Sequence, residues 1–182
     1  AFVPHSVDKM FAGDEVYFVA DTQHVARALA TFGHEERQEA SRRITIIGGG
    51  NIGLNLARYV EEMENVTGRI IEHDNDRARR IVPMLHDTHV THGDALDKII
   101  LEETNIQNAD TVVSVSNDDE TNILASLLAK RYGVERTIAL VNRDTYTPLV
   151  TTLGIDVLVN PRAITVSTIL QHIRRGRIRS VH

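Results

Sequence analysis

The stretch Ile44-Thr45-Ile46-Ile47-Gly48-Gly49-Gly50-Asn51-Ile52-Gly53 decides the fold. Four β-forming residues run into a glycine turn, and the turn opens a segment, Asn51 to Met63, with helical apolar spacing. Glycines at 48, 50 and 53 make the GxGxxG pattern between a strand and a helix, the one context in which it has a mechanism. Gly48 allows the tight turn. Gly50 lets a pyrophosphate approach the backbone, and Gly53 lets the helix pack closely on the sheet. The helix N-terminus adds free N–H groups and a partial positive charge. The expectation is a phosphate loop running from Gly48 to Gly53, with Gly49, Asn51 and Ile52 as its remaining members. The bland alternative is a glycine-rich turn that binds nothing.

The next strand supplies the second element. A dinucleotide site needs an acidic residue about 20 residues on, at a strand end, to accept hydrogen bonds from ribose hydroxyls. Arg69-Ile70-Ile71-Glu72 puts Glu72 there, with His73 beside it at the rim. A carboxylate there repels a 2′-phosphate, which favours an NAD-type or adenosine ligand over NADP. Asp74 is the fallback, although Asp74 or Asp76 also suits the cap of the following helix. Two further loops sit at strand ends. In Gly93-Asp94-Ala95, Asp94 either contacts the adenine amine or caps a helix starting at Ala95, and both roles are compatible. In Ser116-Asn117-Asp118-Asp119-Glu120-Thr121-Asn122, short polar side chains reach for phosphates, ribose or a metal-bound phosphate. The competing reading there is a helix N-cap with acidic first-turn residues.

Strand and helix alternate over the rest of the chain. Strand-like runs fall at 44–47, 69–72, 89–91, 111–116, 137–141 and 157–159. Helical stretches fall at 51–63, 76–85, 95–103, 120–132, 146–153 and 162–174. Apolar β-branched strands alternating with helices mean an α/β fold, a doubly wound parallel sheet with helices on both faces. Residues 1–33 differ: strand, loop, strand and helix, too little to hold a core alone. They read as the end of a truncated domain, with 34–42 as a linker and 43–182 as the Rossmann-type domain.

Bulk properties exclude several classes. The 182-residue chain carries a net charge of −5, against a nucleic-acid or anionic-membrane surface. It has no cysteine, hence no disulfide framework, thiolate zinc site or cysteine nucleophile. No apolar run approaches the roughly 20 residues needed to cross a bilayer, and no signal-peptide pattern opens the chain. Starting at Ala1, it is expected to be processed or cut from a longer protein. His86, His89 and His92 mimic a metal cluster, but residues three apart on a strand point to opposite faces. Arg174, Arg175, Arg177 and Arg179 read as an exposed helix end.

Taken together, Gly48 to Gly53, Glu72, Gly93-Asp94-Ala95 and the loop from Ser116 through Glu120-Thr121-Asn122-Ile123 resemble the TrkA-type KTN/RCK domains, cytosolic regulators of bacterial potassium uptake. The first segment, with Ala12-Gly13-Asp14-Glu15-Val16, resembles the end of an RCK-C domain. The resemblance implies the second nucleotide domain of a tandem pair. It implies a cytoplasmic, non-catalytic regulator at the inner face of the membrane, which binds NAD or NADH, or ATP or ADP, and gates a Trk-type membrane potassium transporter subunit. By the same likeness Gly48 to Gly53 hold phosphates, Glu72 holds the adenosine ribose, and Asp94 and Ala95 flank adenine. Ser116, Asn117 and Glu120 line the phosphate or nicotinamide side. Relatives with an arginine at the place of Asn51 or Asn142 differ there.

An NAD-dependent oxidoreductase is the competing reading, but only one helix and a short tail follow the sixth strand, leaving no substrate domain. A KTN domain of a proton antiporter or potassium channel is the other alternative. A homodimer is expected through the late helices. Leu149, Val150 and Leu153 share one side of the fifth helix, and Val166, Ile169, Leu170 and Ile173 form a wide apolar face on the last.

Overall fold

The computed structural model describes residues 42–176. The readings of 1–33 and most of the linker, and of Arg177 and Arg179, lie outside the described residues.

Six strands form one all-parallel sheet in the order β3-β2-β1-β4-β5-β6. They are β1 (Arg42–Ile47), β2 (Val66–Glu72), β3 (His89–His92), β4 (Thr111–Ser114), β5 (Arg136–Leu140) and β6 (Val157–Val159). The helices between and after them are α1 (Asn51–Glu61), α2 (Asn75–Ile81), α3 (Lys98–Glu103), α4 (Asp119–Arg131), α5 (Thr147–Thr152) and α6 (Pro161–Gly176). The expected doubly wound sheet is therefore the observed one.

Adjacent strand residues point to opposite faces, and here both neighbours of each pair are buried. Ile46, Ile70 and Val113 pack beneath Ala57 of α1 and Ile81 of α2. Ile47, Ile71 and Val112 pack on the other face against Leu101 of α3 and Ala125 and Ala129 of α4. Val150 of α5 continues that second layer over Ala139 and Val141. Two serines inside it satisfy each other, with Ser114 Oγ and Ser126 Oγ 2.9 Å apart.

Several boundaries move for local reasons. The second helix ends at Ile81, and Val82–Met84 form a 3-10 turn with Pro83 as its second residue. The third helix begins at Lys98 rather than Ala95, because Asp97 caps it by accepting from Ile99 N at 2.8 Å. The capping role weighed for Asp94 is thus filled by Asp97. Asp94 instead closes a tight turn onto Leu96 N at 2.8 Å.

Candidate functional site

The C-terminal ends of the central strands open into a cleft of about 690 Å³. It lies where the strand order reverses between β1 and β4, the expected ligand position in an open parallel sheet.

The glycine turn forms its floor. Gly48 has φ +102°, and a Cβ there would sit 2.8 Å from Ser116 N, so backbone conformation and the approaching β4 loop both demand glycine. A Cβ on Gly53 would collide with the Gly48 carbonyl oxygen. Gly50 is different: its backbone is extended and its Cβ position meets nothing within 4 Å. That empty space is cleft. Gly50 is also the N-cap of α1 and offers no side-chain cap, whereas Asp74, Asp97 and Asp118 cap α2, α3 and α4. The first intrahelical bond of α1 is Leu54 N to Gly50 O at 2.8 Å. The N–H groups before it have no partner within the helix and sit at the cleft.

Glu72 is buried, and its carboxylate is already engaged. Oε2 accepts from Gly49 N at 2.6 Å and Oε1 from Asp74 N at 2.8 Å. The Arg77 guanidinium stands 3.8 Å from Oε2. Each carboxylate oxygen has two acceptor sites, so one per oxygen is left for a ribose hydroxyl. His73 lies exposed on the rim beside Asp94 and buried Ala95. His92 fixes this corner by placing Nε2 3.1 Å from His73 O and Nδ1 3.3 Å from Asn75 Nδ2.

The distal wall comes from the loops after β4 and β5. Ser116, Asn117 and Asp118 line it together with Asn142. Ser116 Oγ and N both point to Asn122 Oδ1, each at 2.8 Å. Asp119 is buried beneath Asn142 and accepts its N–H at 3.0 Å. Burial pushes the Asp119 pKa up, but the hydrogen bonds from Asn142 and Arg143 outweigh this and hold it below the usual carboxylate value.

This geometry coincides with a family assignment. The TrkA-N domain model matches residues 44–161. The chain belongs to the TrkA-N domain family. It is 48% identical over 179 residues to the Trk system potassium uptake protein TrkA of Azorhizobium caulinodans, covering 97% of this chain and 38% of that protein. It is 38% identical over 180 residues to the TrkA of Halomonas elongata, covering 99% and 38%. The chain thus spans under two fifths of these relatives. In fold it is similar to the TrkA-N domain of the Escherichia coli inner membrane protein ybaL, with TM-score 0.65, 15% identity, and 73% and 97% of the two chains covered. The GsuK RCK domain gives TM-score 0.66 at 22% identity, covering 79% and 30%. A GsuK channel bound to NAD gives 0.56 at 20%, covering 69% and 22%.

Within this TrkA-N domain, most of the residues expected from the sequence converge on the cleft: Gly48, Gly50, Asn51, Ile52, Glu72, His73, Asp94, Ala95, Ser116 and Asn117. Three expected contacts do not line it. Gly49 lies behind the loop, where a Cβ would meet Ile81 Cδ1 at 2.5 Å. Gly53 faces the Gly48 carbonyl. Glu120 turns away and receives hydrogen bonds from Tyr146 Oη at 2.6 Å and Arg143 Nη1 at 3.1 Å. Thr121 and Asn142 line the cleft as well, and so does Arg77, which the sequence reading did not single out. Arg77 was findable, because it lies three residues after the Asp74 cap and so in the turn of α2 nearest the strand ends. No group of three metal-ligand side chains occurs among the described residues.

Proposed function

We propose that this chain is the nucleotide-sensing part of a regulator of potassium uptake, binding NAD(H) or an adenine nucleotide to gate a membrane partner. The observation that carries the reading is the uncapped α1 N-terminus, open at Gly50 into the cleft, while Asp74, Asp97 and Asp118 cap α2, α3 and α4. An anion is the natural occupant of such a terminus. The cleft volume also suits a nucleotide-sized ligand. The names of the relatives supply potassium uptake, and an NAD-bound RCK channel supports the ligand class. Gly48 to Gly53 hold the phosphates in this reading, directly or by shaping the loop. Glu72 holds the ribose, Asp94 and Ala95 flank the base, and Ser116 and Asn117 face the far end.

The domain regulates rather than catalyses, and it works as an oligomer at the inner face of the membrane. Support for assembly comes from α6, whose Ile164, Val166, Ile169, Leu170 and Ile173 are all exposed. An apolar surface of that kind calls for a covering partner. No helix among the described residues is long and apolar enough to cross a membrane. In this reading coupling to a pore goes through a separate subunit. Calorimetric titration with NADH, NAD, ATP and ADP tests the reading. Binding of at least one is expected. Binding of none would overturn it, and steady NADH turnover with a small substrate would overturn the regulatory assignment.

A further inference from the structure

The first turn of α4 holds two buried polar side chains whose bonds all run to the loops of the distal wall or to the end of β5. Asn122 is fully buried. Its Oδ1 accepts from Ser116 N and Ser116 Oγ, both at 2.8 Å, and its Nδ2 donates to Ser116 O at 3.1 Å and Leu140 O at 2.9 Å. Two acceptor sites and two donors are thereby used, leaving nothing for a ligand. Asp119 accepts from Asn142 N on both oxygens, from Asn142 Nδ2 on Oδ1 and from Arg143 N on Oδ2, each at 3.0 Å. Neither side chain lines the cleft, yet Ser116 and Asn142 both do.

We infer that Asn122 and Asp119 are positioning residues that set the distal half of the cleft, the half that distinguishes a dinucleotide from a mononucleotide. The inference rests on the nucleotide-binding reading above. The adenosine corner is built by Glu72, His73 and Asp94 from β2 and the loops after β2 and β3, and takes no bond from α4. Disturbing the α4 turn therefore acts on ligands according to their length. A long ligand loses its far contacts, and a short one keeps its own.

The test compares AMP and NADH binding by calorimetry in the 182-residue chain, with a thermal melt on each variant. Asn122→Asp sets carboxylate oxygen against the Ser116 and Leu140 carbonyls in place of an amide donor. Asp119→Asn keeps the shape but turns one acceptor into a donor facing backbone N–H groups. NADH affinity is expected to fall about tenfold or more, the scale of one lost charge-assisted hydrogen bond, while AMP affinity stays within about twofold. Should Asn122→Asp fail to melt cooperatively, Asp119→Asn decides by the same criterion. A folded variant in which both ligands weaken together, or neither changes, overturns the positioning role. An unaltered chain that binds neither AMP nor NADH instead overturns the nucleotide reading, and this inference with it.

Discussion

The Glu72 carboxylate closes on the backbone N–H of Gly49 at 2.6 Å, and so ties the end of β2 to the middle of the glycine turn. The residue expected to read a ribose is therefore also a structural clasp. Its second oxygen holds Asp74 N, the cap residue of α2. One buried side chain thus sets the glycine turn and the start of the next helix.

Glu72→Ala is expected to lower stability as well as affinity. It leaves the Gly49 and Asp74 N–H groups without their acceptor, at about 1–3 kcal/mol for an unsatisfied buried donor. Adenosine ligands should weaken by about 1.5–3 kcal/mol, the range for a hydrogen bond to a charged group. Urea melts and titrations on the same preparation separate the two losses. Unchanged stability would remove the clasp, and unchanged NAD affinity would move the ribose contact to Asp74.

Substitutions at two glycines of the turn should diverge. Gly50→Val places its side chain in the open cleft on an extended backbone, so the fold survives and nucleotide binding is lost. Gly53→Ala drives a methyl into the Gly48 carbonyl oxygen and should destabilise by about 1–3 kcal/mol, as overpacking does. Melting temperatures beside NADH titrations check the pair. A folded Gly50→Val protein with full NADH affinity would refute the phosphate site.

Acid should unfold the domain through carboxylates that are held ionised. Glu61 lies below its ordinary 4.5: burial pushes it up, but the backbone N–H groups of Asp87, Thr88 and His86 and the Thr88 side chain outweigh that. Asp156 lies below 3.8 against the same opposing burial, through Lys130 and Thr137. Asp119 behaves likewise. Because the folded values are lowered, the unfolded chain binds more protons between the folded and unfolded values. Stability from these groups is therefore complete above about pH 4.5 and drains as pH falls through the lowered folded values. Urea midpoints measured down the pH scale should show the fall, with a shallower acid limb in Asp156→Asn. Stability that rises on acidification through pH 4 would contradict the assignment.

The α6 face should govern assembly and not folding. Ile169→Glu charges an exposed position, 53% accessible, so the melting temperature of the nucleotide domain should hold while the oligomer dissociates. A stable dimer buries about 1,200–2,000 Å² in total. Light scattering over a concentration series reads the change. A chain that is already monomeric at high micromolar concentration before substitution would reject the dimer.

The sequence by itself determined the parallel sheet, its glycine turn and most of the cleft. Those depend on local rules: paired β-branched residues such as Ile46-Ile47 and Ile70-Ile71 demand cover on both faces, and Gly48, Gly50 and Gly53 carry their meaning in their spacing. Tertiary structure alone decided what each polar residue does once there. Asp94 and Asp97 are equally good caps on paper, and only the path of the chain gives the helix to Asp97. Glu120 sits in the first turn of α4, just after a loop that reaches the cleft, yet Arg143 and Tyr146 from beyond β5 turn it away. Asn122 belongs, on sequence, to a loop whose short polar side chains reach for phosphates, yet its bonds all go to Ser116 and Leu140, at two different strand ends. The last helix read as amphipathic, but whether its apolar face covers the sheet depends on the direction in which the chain leaves β6. A hydrogen bond or an apolar contact needs both partners in place, and residues 18 or 23 positions apart meet only after the sheet has formed.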